Sequence, residues 1–146
     1  TEATLIALFN QLKSQDVSIE HTILKVNMVV SGKQCSTQAG VQEVADMTVR
    51  CLRANVPAEL PAIVFLSGGQ TPVLATAHLN AMNASNSDMP WPLSFSYGRA
   101  LQAPCIAAWS GKAENLDAAK AALLHREKCN SLACSGKYSD DMDKVA

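Results

Sequence analysis

The chain has 146 residues, 48% of them hydrophobic and 17% charged, with a formal net charge of −1. That length matches one ordinary domain, and the apolar content suffices for a sizeable core. Near-neutral charge gives no sign of an electrostatic surface for nucleic acid or anionic membrane, and no apolar run approaches the roughly 20 residues that span a bilayer.

Leu5, Leu8, Phe9 and Leu12 recur at helical spacing, so residues 2–15 read as an amphipathic helix. Residues 22–30 are β-branched and apolar, the pattern of a strand buried on both faces. Val41, Val44, Ala45, Thr48, Val49 and Leu52 mark a second helix, stopped before Pro57 and Pro61. Residues 62–66 form the next strand. A helix follows with Thr71 as N-cap and Pro72 in its first turn, and Val73, Ala77 and Met82 on or near its inner side. Residues 86–92 are turn-rich, 93–97 make a third strand, and 100–109 are helical again up to Ser110-Gly111. A last helix over 113–128 has Glu114 and Asp117 early and His125, Arg126 and Lys128 late, as the helix dipole favours. Residues 139–146 are expected to be a polar, flexible tail.

Helix and strand alternate, which implies parallel strands joined by crossover helices. Three strands are part of a parallel barrel that normally has about 250 residues in eight strand–helix units. The five cysteines are scattered, with no Cys-x-x-Cys pair, and an odd set of this kind argues for reduced thiols, not a disulfide framework. Cys129 and Cys134 do not suggest a metal site. Trp91 and Trp109 read as packing residues, and His78 and His125 as structural or solvated ones.

Each strand ends in polar or glycine residues where a parallel barrel presents its reactive groups. Lys25, in Leu24-Lys25-Val26, is a candidate Schiff-base nucleophile. An amine attacks a carbonyl only when deprotonated, so such a lysine needs apolar or cationic surroundings, and Leu24 and Val26 are expected to supply the former. Gly68 and Gly69 let backbone N–H groups approach an anion, and Arg99 offers a bidentate charge-assisted contact.

The stretches Leu24-Lys25-x-Asn27-Met28-Val29, Phe65-Leu66-Ser67-Gly68-Gly69-Gln70 and Phe95-Ser96-Tyr97-Gly98-Arg99-Ala100-Leu101-Gln102 together resemble the class I fructose-1,6-bisphosphate aldolases. Trp109-x-Gly111-Lys112-x-Glu114-Asn115 and Asn130-Ser131-Leu132-Ala133-Cys134-x-Gly136-Lys137-Tyr138 extend the resemblance across residues 2–138. It departs at Val26, where the family usually has proline, and at Val30-Ser31, where it has Thr-Pro.

The resemblance implies an α/β fold: strands 6–8 with flanking helices, the C-terminal part of a (β/α)8 TIM barrel, over residues 1–138. It implies reversible cleavage of fructose 1,6-bisphosphate to dihydroxyacetone phosphate and glyceraldehyde 3-phosphate. Lys25 matches the Schiff-base lysine; Ser67, Gly68 and Gly69, with Ser96, Gly98 and Arg99, match the site of the phosphate next to the substrate carbonyl. The family's acid–base carboxylates lie on strands outside this stretch. No metal or cofactor is implied, since the lysine imine does the activation. The implied partners are a sugar phosphate and further copies of the chain, as a tetramer, or a partner chain completing the barrel. A non-catalytic, aldolase-derived structural subunit is the alternative. The expected compartment is the cytoplasm, or an organelle matrix or stroma after removal of a transit peptide.

Overall fold

A computed structural model describes residues 1–85 and 88–144 and alternates helix with strand. The elements are α1 (Glu2–Ser14), β1 (Ile23–Val26), α2 (Val41–Asn55), β2 (Ala62–Phe65), α3 (Pro72–Ser85), β3 (Leu93–Phe95), α4 (Arg99–Trp109) and α5 (Leu116–Ala133). Short 3-10 turns occupy Ile19–His21, Ala113–Asn115 and Asp140–Asp143. Of the turn expected over 86–92, Asn86 and Ser87 lie outside the described residues, as do Val145 and Ala146 of the tail.

The strands form one parallel sheet in the order β1-β2-β3, with α2 and α3 as the crossovers. Register places Leu24 beside Ile63 and Ile63 beside Leu93. This row is buried, and so are Val26 and Phe65 two positions on. Leu52, Leu79 and Met82 from the helices complete that side of the core. Successive side chains of a strand point to opposite faces. The other face therefore carries Ile23, Lys25 and Val64, and Ile23 is 64% exposed.

The strand expected over 22–30 is thus shorter and buried on one face only. Val26 O still accepts from Leu66 N on the β2 side (3.0 Å), whereas the Val29 amide turns away and donates to Thr48 Oγ1 on α2 (2.8 Å). Thr48 is buried, which seats the chain after β1 against the second helix.

The central helix is α3, packed against α2, α4, α5 and β3. Its buried residues are Ala75, Thr76, His78, Leu79 and Met82. The inner stripe runs through 75, 79 and 82, and Val73 in the first turn lies outside it, 42% exposed. Thr71 Oγ1 accepts from Leu74 N (3.2 Å), the expected N-cap bond. Trp91 is buried and donates Nε1–H to Pro57 O (2.8 Å), whereas Trp109 is 44% exposed at the end of α4.

The last helix runs past the basic cluster expected to end it, to Ala133. Cys129, Asn130 and Ala133 continue its buried stripe, and Arg126 is itself buried. Arg126 donates to Thr76 Oγ1 (3.2 Å) and to Asp143, and Thr76 Oγ1 donates to Asn130 Oδ1 (2.6 Å). Tyr138 donates its hydroxyl to the other Asp143 oxygen (2.5 Å). A buried guanidinium needs such a counter-charge. Here it comes from the stretch expected to be a flexible tail.

Candidate active site

Because the strands are parallel, their carboxyl ends meet along one edge, and the lysine and phosphate-site candidates Lys25, Ser67, Gly68, Gly69, Ser96, Gly98 and Arg99 lie at or just beyond that edge. Lys25 pairs in register with Val64, and Val64 with Ser94, so one row across the open face runs from β1 to β3. Lys25 is exposed, and its ammonium makes no hydrogen bond or ion pair among the described residues.

This corrects the apolar surroundings expected for Lys25. Leu24 and Val26 are buried on the helix side, whereas Lys25 points the opposite way. The residues flanking a lysine along its strand cannot desolvate it; only what covers its own face can.

The loop after β2 is a tight turn. Gln70 N donates to Ser67 O (2.9 Å), and Gly68 and Gly69 between them have φ of +55° and +83°. Two successive positive-φ positions are those of a type I′ turn, where glycine avoids the Cβ penalty. Ser67 is 7% exposed. Its turn leads directly into the N-terminus of α3 at Pro72.

The loop after β3 has no such turn but also leads directly into a helix. Ser96 N donates to Phe65 O (2.8 Å), extending the β2–β3 contact, and Gly98 O accepts from Gln102 N (3.0 Å) to start α4. Gly98 is thus the N-cap and Arg99 the first helical residue, exposed to solvent. Tyr97 between them is buried and donates its hydroxyl to Ala75 O in α3 (2.8 Å). Burial pushes that phenol's pKa far up, so it stays protonated and the clamp holds. Two loops and two helix N-termini thus converge on one edge, and both elements favour an anion. Among the described residues Arg99 has no carboxylate within 4.0 Å, so its charge is available.

His78 carries more of this architecture than a generic structural histidine. It lies inside α3, 1% exposed, with Nδ1 2.5 Å from Gln70 Oε1 at the end of the glycine turn. Gln70 Nε2 in turn lies 3.6 Å from Met28 Sδ at the end of β1. The half-buried Gln70 therefore joins the loops after β1 and β2 through the buried Met28 and His78.

One donor cluster went unnoticed in the sequence. His125 and Cys129, four apart on α5, share a helix face, and their Nε2 and Sγ atoms are 3.6 Å apart. Asp143 Oδ1 lies 3.3 Å from the same nitrogen, and the three donor atoms fall within 4.8 Å of one another. Asp143 is already the counter-ion of Arg126 and the acceptor of Tyr138, so the trio reads as the anchor of the 140–143 turn. A groove of about 590 Å³ beside it, lined by Pro72, Val73, Pro104 and the alanines of α5, contains none of the strand-end residues.

No helix among the described residues is long and apolar enough to cross a membrane. The family model of class-I fructose-bisphosphate aldolase matches residues 1–146. A probable class 1 fructose-bisphosphate aldolase from Xylella fastidiosa is 53% identical over 139 residues, covering 94% of this chain and 41% of that protein. The fructose-bisphosphate aldolase of Dictyostelium discoideum is 50% identical over 141 residues, covering 97% and 39%. Among solved structures, Plasmodium falciparum fructose-bisphosphate aldolase in complex with TRAP and a small-molecule inhibitor superposes with a TM-score of 0.91 at 46% identity. That superposition covers 94% of this chain and 40% of the other. The chain thus spans about 40% of the length of these relatives. A parallel strand–helix alternation, matched over its whole length and overlaid closely on part of a solved aldolase, assigns this chain to the class-I fructose-bisphosphate aldolase family.

Proposed function

We propose that the chain supplies the Schiff-base lysine and the proximal phosphate site of a class I fructose-bisphosphate aldolase. The reaction is reversible cleavage of fructose 1,6-bisphosphate into dihydroxyacetone phosphate and glyceraldehyde 3-phosphate. The carrying observation is the convergence on one sheet edge of Lys25, the glycine turn after β2 and the Gly98–Arg99 helix start.

In this reading the Lys25 amine attacks the ketose carbonyl carbon and water leaves. The protonated imine then accepts the electron pair released as the neighbouring carbon–carbon bond breaks. Ser67, Gly68, Gly69, Ser96, Gly98 and Arg99 hold the phosphate next to that carbonyl, which fixes the carbon within reach of the amine. These residues belong to strands 6–8 of a (β/α)8 barrel. The remaining strands cover the open face, desolvate Lys25 and bring the acid–base carboxylates. The working protein is a cytoplasmic homo-oligomer, a tetramer by resemblance to the family.

The test is reduction with borohydride in the presence of dihydroxyacetone phosphate, followed by intact mass and peptide mapping. An adduct on Lys25 is expected. Its absence, or its appearance on another lysine, would remove Lys25 from the chemistry.

The open sheet face supports a second reading, a non-catalytic subunit held in a larger assembly. Ile23 on that face is exposed, and an uncovered apolar face is an adhesive surface. Sedimentation as a large complex with unrelated polypeptides, without a borohydride adduct, would favour it.

A further inference from the structure

Lys33 lies between β1 and α2, outside every element, and carries no role in the reading above. Its Cε and Nζ atoms both stand 3.7 Å from the position a Cβ would take on Gly69. The ammonium therefore reaches from the loop after β1 to the glycine turn after β2.

The backbone around Lys33 is braced on both sides. Cys35 N donates to Gly32 O (2.9 Å), and Gln38 Nε2 donates to Gly32 O (3.1 Å) and Cys35 O (2.9 Å). Ala39 N donates to Ser31 Oγ (3.0 Å), closing the loop. The roots of the two loops are joined as well, through Gln70 and Met28. Among the described residues no carboxylate lies within 4.0 Å of the Lys33 ammonium. A cation without a counter-ion, beside a backbone turn suited to an anion, is an incomplete charge arrangement that an anion completes.

We infer that Lys33 is a further phosphate-binding residue, the second cation beside Arg99 on the substrate's proximal phosphate. The inference rests on the reading of Ser67–Gly69 and Ser96–Arg99 as the phosphate site. A phosphate near neutral pH carries close to two charges, and Arg99 alone balances one. Lys33 acts in binding, since the bond-breaking belongs to Lys25.

The experiment compares Lys33→Met, Lys33→Arg and Arg99→Met in the intact protein. Affinity for inorganic phosphate is read by phosphorus NMR titration, and KM and kcat by cleavage of fructose 1,6-bisphosphate. Lys33→Met is expected to weaken phosphate binding and raise KM by about tenfold, the worth of one charge-assisted contact. Its kcat should stay within about twofold, as for an interaction made equally in ground and transition states. Lys33→Arg should recover most of the affinity. Unchanged phosphate affinity in Lys33→Met alongside a loss in Arg99→Met would overturn the Lys33 inference and leave the phosphate site standing. No loss in either variant would overturn the phosphate site itself, and the inference with it. Lys33 is exposed and in no element, so melting of its variants should match the parent; a lowered kcat at unchanged KM would also overturn the assignment.

Discussion

The imidazole of His78 donates from Nδ1 to Oε1 of Gln70 across 2.5 Å, joining the middle of α3 to the glycine turn after β2. A carbonyl oxygen only accepts, so the ring proton sits on Nδ1, and Nε2 is left buried with no partner among the described residues. Burial holds the imidazole below its ordinary value of 6.5. In the unfolded chain His78 takes up a proton as pH falls through about 6.5, whereas in the folded protein it resists. The unfolded state then binds more protons, so stability is full above that pH and declines below it. Urea unfolding of the intact protein between about pH 7.5 and about pH 5.5 should show this decline. It should be flatter in His78→Asn, which keeps a donor for Gln70 but does not titrate. Parallel curves for the two proteins would show that His78 is not the group responsible.

The end of β1 depends on one side chain from α2. Thr48 Oγ1 accepts the Val29 amide at 2.8 Å, and Thr48 is almost wholly buried. Thr48→Val keeps the volume but strands that amide, at a cost of about 1–2 kcal/mol. Amide hydrogen exchange at Val29 should accelerate more than at Leu24 or Val26. Equal acceleration throughout β1 would mean that the bond stabilises the whole sheet and not its exit.

Gly136 is required by both conformation and space. Its φ is +67°, and a Cβ there would come within 2.8 Å of the Ala84 backbone on α3. The turn it makes returns Lys137 N to Leu132 O (3.0 Å) and delivers Tyr138 to Asp143 and, through its amide, to Asn80 Oδ1 (3.0 Å). Gly136→Ala should cost roughly 2–4 kcal/mol, from left-handed strain plus displacement of packed backbone. Denaturant titration measures it; a loss below about 1 kcal/mol would mean that α3 and α5 separate easily.

The order of elements was legible because apolar spacing and Gly/Pro punctuation act locally. The stripe of α2 at Val44, Ala45, Thr48, Val49 and Leu52 is buried as its periodicity requires. Residues 22–30 misled because their apolar run looks the same whether one face is covered or two; the exposure of Lys25 depends on what lies across the sheet. Gly68, Gly69 and Arg99 were legible as anion contacts from their own chemistry, but joining them with Ser67, Ser96 and Gly98 into one phosphate site came from the resemblance, since a Ser-Gly-Gly by itself is an ordinary loop. Three features needed coordinates. The extension of α5 hinges on Arg126 being buried against Asp143, a pairing 17 residues apart. The His78–Gln70 bond is invisible until the helix phase is known. Lys33 reaches Gly69 across 36 positions of chain, measured as 69 − 33, through a loop with no periodicity to read.

Lys25 gives the sharpest separation of chemistry from structure. Its side chain projects from the open face and makes no contact that holds the core, whose residues at Leu24 and Val26 point the other way. Lys25→Met keeps the length and the apolar stem while removing the amine. In the intact protein, where the remaining strands cover and desolvate this amine, replacing it by an apolar side chain of the same length should leave the folded state at least as stable as the parent. Under the proposed function, cleavage of fructose 1,6-bisphosphate by the intact protein should fall by at least about a thousandfold, the loss that follows from removing a covalent nucleophile. Binding of inorganic phosphate should persist, because Arg99 and the glycine turn remain. Melting, turnover and phosphate titration on the same preparation separate the possibilities. Lost turnover with intact melting and intact phosphate binding fits covalent catalysis by Lys25. Turnover that survives the substitution would rule out an obligatory imine at this position. Lost phosphate binding would instead make Lys25 part of the anion site, with the nucleophile elsewhere.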